Sequence, residues 1–97
     1  MRWMEMIRLR TPQGQKEKLA NLLAESARSI ISEPGLKEAR VYTNESFHSD
    51  LALNLSWDTN VAPKQGSRIG LNIAQTLASY WLVEHSIWSE KLDWKNL

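Results

Sequence analysis

The chain is 97 residues long, a length that fits one domain built around one hydrophobic core. Twelve basic and eleven acidic residues leave a formal net charge of +1, so the composition offers neither the basic field of a nucleic-acid-binding protein nor a polybasic membrane surface. Cysteine is absent, which excludes disulfides, thiolate metal ligands and cysteine nucleophiles.

The first half of the chain predicts a strand, a helix and a second strand. Residues 1–10 alternate with period two, and Pro12 and Gly14 end this strand. Residues 16–32 predict an amphipathic helix that stops at Pro34-Gly35. Residues 36–43 predict the second strand.

The first strand places Trp3, Glu5, Ile7 and Leu9 on one face and Met4, Met6, Arg8 and Arg10 on the other. The apolar stripe of the helix comprises Leu19, Leu22, Leu23, Ala27, Ile30 and Ile31.

The second half of the chain predicts the same order of elements, a strand, a helix and a strand. Residues 50–57 predict a third strand, with an apolar face of leucines ending at Trp57 and a small, polar face that includes Asn54 and Ser56. Ser67 is a suitable N-cap for a helix over residues 68–79, which is apolar over more than half of its circumference. Residues 82–90 predict the last strand.

The predicted order is therefore β-α-β-β-α-β, an α+β class arrangement that is typical of the ferredoxin-like fold, with a four-stranded antiparallel sheet and both helices on one face. In a single chain the other face would expose Met4, Met6, Tyr42 and Trp88. An apolar patch of this size usually marks an interface or a ligand site. We therefore expect a homodimer that packs sheet to sheet, the alternative being a monomer with an unusually apolar sheet.

Other features limit the location and the chemistry. The N-terminal residues lack the apolar region of a signal peptide, and the aromatic–aliphatic run over residues 80–83 is too short to span a membrane. We expect a cytoplasmic protein without a membrane or nucleic-acid partner. His48 and Asp50 lie close together in a turn, but zinc sites need three or more protein ligands, so no metal site is predicted.

Three local patterns together carry a resemblance to a known family. They are the strand over residues 4–10 that leads into an amphipathic helix, the Pro34-Gly35-Leu36 break before Arg40-Val41-Tyr42, and the strand over residues 51–56 that Trp57 closes. Over nearly the whole chain, this pattern resembles the dimeric α+β barrel superfamily, and most closely the antibiotic biosynthesis monooxygenase-like domains. The resemblance implies two subunits whose sheets form a barrel and help to enclose a cavity.

The resemblance also implies a function. Some members oxidise polyaromatic phenols without metal or flavin, whereas others degrade haem. We therefore expect a small cofactor-independent monooxygenase, or a related enzyme, acting on a planar aromatic or enolisable molecule, with no cofactor. Two alternatives remain: a non-catalytic small-molecule-binding or dimerisation module of the same fold, and a haem-binding or haem-degrading protein whose proximal ligand would be His85.

Family monooxygenases place Asn, Trp, Tyr and Arg side chains around an aromatic substrate, and this sequence offers candidates of these types. We predict Asn54 and His85 as catalytic, because an amide binds a phenolate oxygen and a histidine titrates near neutrality. The predicted substrate-binding residues are Arg8, Tyr42, Ser56 and Trp88.

Structural roles for the same residues stay open. His85 can instead be hydrogen-bonded within the sheet or the interface, and Arg8 can pair with Glu84 or Glu90. Asn54 and Ser56 can simply make room for the partner sheet. Of the remaining tryptophans, Trp57 and Trp81 are predicted to lie in the core and Trp3 and Trp94 to anchor the chain ends.

Overall fold

A computed structural model describes residues 1–79 and 81–96, and it confirms the predicted order of elements. Each predicted boundary differs from the observed one by at most two residues. Tyr80, which begins the aromatic–aliphatic run, lies outside the described residues. The strands are β1 (Arg2–Arg10), β2 (Leu36–Thr43), β3 (Asp50–Asp58) and β4 (Val83–Ser89), the helices are α1 (Lys16–Ile30) and α2 (Arg68–Ala78), and a 3₁₀ turn covers Trp94–Asn96.

The four strands form one sheet in the order β2-β3-β1-β4, and every neighbouring pair is antiparallel. The order β-α-β-β-α-β together with this sheet is the ferredoxin-like fold. β1 occupies a central position, and its register pairs Met6 with Asn54 on one side and with Ser86 on the other. Since paired residues share a face, the register assigns every strand side chain to one of two faces.

The helix-covered face carries the core. Leu19, Leu23 and Ala27 of α1 and Ala74 and Leu77 of α2 are buried against it. Most of the core residues that the sheet contributes belong to β1 and β3. They are Trp3, Ile7, Leu9, Leu51, Leu53, Leu55 and Trp57. The opposite face, here called the open face, has no helix packed on it. It carries Met4, Met6, Arg8, Arg40, Tyr42, Ala52, Asn54, Ser56, Glu84, Ser86 and Trp88.

The apolar stripe that the sequence predicts for α1 is wider than the row of side chains that the structure buries. Leu22 and Ile31 belong to the apolar stripe in the sequence, but Leu22 is exposed and Ile31 lies beyond the last residue of the helix, also exposed. The helix packs on a single layer of strands, so only its innermost row is covered. Among the described residues, no helix is both long and apolar enough to cross a bilayer.

The positions of the tryptophans agree only in part with the sequence prediction. Trp57 is a core residue and Trp81 packs against the core, as predicted. Trp3 lies near the chain end but is also buried, stacked on Trp57 with ring centroids 5.5 Å apart. Trp94 is exposed, so the prediction that it anchors the other end is wrong for the isolated chain. Its contact is local, with the Lys95 ammonium 5.6 Å from its ring centroid.

Candidate functional site

A glutamate lies in the middle of the helix-covered face. Period-two alternation of β1 places Glu5 between Trp3 and Ile7 on that face, and its exposure is 0%. Transfer of a carboxylate from water to such an environment is costly unless hydrogen bonds replace its hydration. A residue of this kind in the core therefore indicates a polar site assembled around it.

Four hydrogen bonds hold the two carboxylate oxygens of Glu5. Oε2 accepts from the indole Nε1 of Trp57 at 2.8 Å and from the hydroxyl of Ser67 at 2.5 Å. Oε1 accepts from the backbone N–H of Ser67 at 2.8 Å and lies 2.9 Å from Nε2 of His85. The donors come from β3, the start of α2 and β4, so the carboxylate joins three elements. We call Glu5, Trp57, Ser67 and His85 the Glu5 cluster.

The start of α2 is shaped to receive this carboxylate. Ser67 is the N-cap, and its hydroxyl accepts from the backbone N–H of Gly70 at 2.9 Å. A Cβ atom on Gly66 or on Gly70 would lie 2.3 Å or 2.2 Å from Oε1 of Glu5, so only glycine leaves room at either position. Gly66 also has a φ of +93°, which favours glycine. The positive end of the helix dipole further stabilises the negative charge.

His85 contributes its ring edge to the same cluster. Its side chain is 14% exposed, and its Cε1 atom packs where a side chain on Gly66 would lie. Because an ionised carboxylate only accepts hydrogen bonds, Nε2 is assigned as the donor to Glu5, which leaves Nδ1 as the second ring nitrogen. An Nε2 atom engaged in this way does not fit the role of a proximal haem ligand.

An open cleft of about 610 Å³ borders the cluster, within the usual size range of ligand sites. Trp57 and Ser67 form part of its wall, so two of the three residues that donate to Glu5 also border the cleft. The stacked Trp3 ring extends this wall, and its Nε1 donates to the Thr59 hydroxyl at 2.8 Å. The other lining residues are Glu33, Val61, Pro63, Arg68, Ile69 and Asn72.

Five of the six predicted site residues lie on the open face. Asn54 and Ser56 are adjacent outward positions of β3 and are partly buried, and Oδ1 of Asn54 is buried without a hydrogen-bond partner among the described residues. Tyr42 and Trp88 are exposed on the flanking strands β2 and β4. Arg8 forms an ion pair with Glu84, one of the two structural partners that the sequence suggests.

A second cavity, of about 650 Å³, lies at one end of the open face. Met4, Ser56 and Trp88 line it from the sheet, and the indole Nε1 of Trp88 donates to the hydroxyl of Ser86 at 2.9 Å. On the same face a hydrogen bond from Arg40 to Glu38 raises the pKa of Arg40 above its ordinary value.

The structure therefore does not bring the predicted site residues together. His85 pairs with Ile7 in the β1–β4 register and lies on the helix-covered face, across the sheet from Asn54. Sequence reasoning did not identify Glu5 and Ser67 as site residues. The available signal was one acidic residue inside an otherwise apolar face of β1, together with the Gly66-Ser67 pair before α2.

The described residues contain no group of three or more His, Asp or Glu side chains that could hold a metal ion. His48 is exposed in its turn, whereas Asp50 is buried and accepts from Nε of Arg10 at 3.1 Å. The two turn residues therefore differ in environment, and Asp50 has a structural partner on β1.

Comparisons with known proteins rest on structure. No family model matches the sequence, and no curated protein matches it. A protein of Mycobacterium tuberculosis superposes with a TM-score of 0.72 at 15% identity, covering 97% of this chain and 99% of that one. SnoaB of Streptomyces nogalater, a cofactor-independent oxygenase whose variant was solved, has a TM-score of 0.72 at 14% identity, with 96% of both chains covered.

A third similar structure carries the family's name. It is a "putative antibiotic biosynthesis monooxygenase" from Deinococcus radiodurans, with a TM-score of 0.70 at 15% identity and 94% of both chains covered. Identities this low show only that the fold is shared. Coverage of nearly the whole of each chain shows that it is shared from end to end. The resemblance inferred from the sequence is confirmed at the level of the fold: the chain shares its fold with structures that are named as antibiotic biosynthesis monooxygenases and with a cofactor-independent oxygenase.

Proposed function

We propose that this chain is a small cofactor-independent oxygenase that acts on a planar aromatic or enolisable molecule bound in the cleft beside the Glu5 cluster. One observation carries the proposal. Ser67 lines the cleft and its hydroxyl donates to a fully buried carboxylate, which would couple a bound molecule to a base shielded from water. The likeness in fold to a cofactor-independent oxygenase supports the same reaction class.

The first step is the removal of a proton from the substrate. The Ser67 oxygen donates to Glu5 and accepts from the N–H of Gly70, so one of its two lone pairs is free for a substrate hydroxyl. As the phenolic or enolic proton passes to this oxygen, the serine proton passes to Oε2 of Glu5. Ser67 is regenerated, Glu5 is protonated and the substrate becomes an electron-rich anion. His85 and Trp57 act as positioning residues, since they hold the carboxylate through its own oxygens.

The second step uses molecular oxygen as the co-reactant. A methylene carbon activated by the enolate gives electrons to oxygen and forms a carbon–oxygen bond. Glu5 returns its proton to the peroxide anion that forms first, and the peroxide then loses water to give the carbonyl. The balanced change is R₂CH₂ + O₂ → R₂C=O + H₂O, in which the substrate supplies all four electrons and Glu5 is regenerated. The tryptophan wall of the cleft and the apolar residues beside it limit the access of water, which would otherwise protonate the anion.

Oxygen consumption with a panel of anthrones and naphthols tests this proposal. Ser67→Gly removes the hydroxyl with little loss of capping, and we expect turnover to fall about 100-fold or more, as for the loss of a general base. Glu5→Gln is expected to reduce turnover to a similar extent. Ser79→Gly, at the other end of α2, is the matched control and should leave turnover unchanged. Absence of oxygen uptake across the panel, or activity retained in both cluster variants, would contradict the proposal.

We also propose that two copies of the chain pack through their open faces to form a barrel. Trp88 and Tyr42 are 57% and 47% exposed there, and Met4 and Met6 of β1, which lies between β3 and β4, are partly buried. Large apolar side chains gathered on one sheet face, together with half-exposed aromatic rings, favour association.

A second candidate function follows from the open face. Here the chain would bind a small aromatic molecule without turnover, in a barrel lumen lined by Asn54, Ser56, Arg8, Tyr42 and Trp88. The buried Oδ1 of Asn54, which lacks a partner, favours it, because a ligand or a second chain can supply the missing donor once side chains adjust. Thermal shift with the same naphthols tests it. Stabilisation that is lost in Asn54→Ala but kept in Ser67→Gly would support this candidate, and the reverse pattern would exclude it.

A further inference from the structure

An arginine without a partner lies on the wall of the cleft. Arg68 is the first residue of α2 and is exposed. Among residues 1–79 and 81–96 it forms no ion pair, whereas Arg8, Arg10 and Arg40 each pair with a carboxylate on the sheet. The sequence predicts Arg8 as a substrate-binding residue, but Arg8 is already paired with Glu84 on the open face. The cation available at the cleft is therefore Arg68.

The rest of the wall shows what could lie beside this cation. The stacked rings of Trp3 and Trp57, each 4% exposed, form the aromatic part of the wall, and Val61, Pro63 and Ile69 add apolar contacts. Glu33 borders the same cleft from the segment after α1, and it makes no ion pair with Arg68 within 4.0 Å. An aromatic and apolar wall that also carries Arg68 and Glu33 can orient a polar aromatic molecule.

We propose that the substrate is an aromatic anion, a planar ring system that carries a carboxylate or sulfonate, and that Arg68 determines this specificity. The inference deepens the proposed function, because it concerns the same cleft. A guanidinium binds a carboxylate through two parallel hydrogen bonds, which fixes direction as well as charge. Glu33 repels the acidic group from the other side of the cleft. The hydroxyl to be deprotonated is then directed to Ser67, the neighbour of Arg68 in the chain.

Binding of two isosteric probes tests the inference without any turnover. Isothermal titration calorimetry compares 2-naphthoate with neutral 2-naphthamide at low salt, where charge contributes most. We expect the native chain to bind the anion about tenfold more tightly, and Arg68→Gln to reduce this preference to about twofold or less. Arg28→Gln removes an equally exposed arginine from the last turn of α1, outside the cleft, and should leave the preference intact.

The outcomes separate this inference from the proposed function. An anion preference that depends on Arg68, without oxygen uptake in any assay, supports the specificity assignment and counts against the oxygenase. Turnover of neutral naphthols by a chain with no anion preference overturns the specificity assignment alone. Equal binding of both probes, or a preference unchanged in Arg68→Gln, also overturns it. Arg68→Glu provides a second variant and should reverse the preference toward the neutral probe.

Discussion

Nε2 of His85 lies 2.9 Å from Oε1 of Glu5, although 80 residues separate them in sequence. The β1–β4 register pairs Glu5 with Ile87 and Ile7 with His85, so the two residues are diagonal neighbours on the same face of the sheet. The contact follows from strand order and register, and both residues lie within regular strands. Strand pairing therefore positions three of the four residues of the Glu5 cluster, and the start of α2 supplies the fourth.

Substitution His85→Phe keeps a flat ring but removes the donor to Glu5. We expect a loss of about 1–3 kcal/mol in the free energy of unfolding, because a buried carboxylate is left with one fewer partner. Urea denaturation measures this loss. His48→Phe, in an exposed turn, is the control and should change stability by less than about 0.5 kcal/mol. Equal effects of the two substitutions would show that the His85 contact contributes nothing.

Substitution Gly70→Ala should destabilise the protein although alanine is the better helix former. In a free helix the change would gain about 1 kcal/mol. Here the added Cβ would lie 2.2 Å from Oε1 of Glu5, so the carboxylate or the helix start must move. We expect a net loss of about 2 kcal/mol or more in thermal denaturation, a typical cost of overpacking. Gln75→Ala, on the exposed side of α2, should be neutral or slightly stabilising.

Trp57→Phe and Trp3→Phe form a matched pair, since the two rings stack on each other and each loses one indole N–H. The Trp57 donor serves a buried carboxylate, and the Trp3 donor serves a partly exposed hydroxyl. Hydrogen bonds to charged groups contribute about 1.5–3 kcal/mol and neutral ones about 1 kcal/mol. We expect the larger loss of stability in Trp57→Phe. A larger loss in Trp3→Phe would mean that Glu5 does not depend on the indole.

The proposed dimer predicts that Met6→Asp or Trp88→Asp shifts the chain toward a monomer. An uncompensated charge in a sheet-to-sheet interface is costly. Light scattering at micromolar concentration should then give a mass near 11.2 kDa, against about twice that for the native chain. Phe47→Asp changes an exposed aromatic residue in the turn between β2 and β3 and serves as the control. A native chain that is already monomeric would refute the dimer.

The sequence was sufficient to predict the order of elements and the facing of the strands. Period-two alternation assigned Glu5 to the face of Ile7 and Asn54 to the opposite face of β3, and the β1–β3 register agrees. The N-cap Ser67 marked a helix start that the structure confirms, whereas α1 ends at Ile30, two residues before the end predicted from Pro34-Gly35. These features are local, so a few neighbouring residues are enough to specify them.

The site was harder to predict because it is not local. Glu5, Ser67 and His85 belong to three elements, and their meeting depends on sheet order and on the position of α2. An alternating pattern shows that Glu5 faces inward, but it does not show which groups donate hydrogen bonds to its carboxylate. The same limit applied to His85. The sequence allowed a hydrogen-bonded position for it within the sheet, but it did not identify Glu5 as the partner.

The stacked pair of Trp3 and Trp57 borders both cavities, the cleft beside α2 and the one at the end of the open face. Two indoles this close couple their electronic transitions, so the pair should give a coupled band in circular dichroism that single tryptophans lack. A molecule entering from either side touches the same chromophore. The protein thus carries its own optical reporter, and Trp3→Phe, which removes one member of the pair, would identify the band.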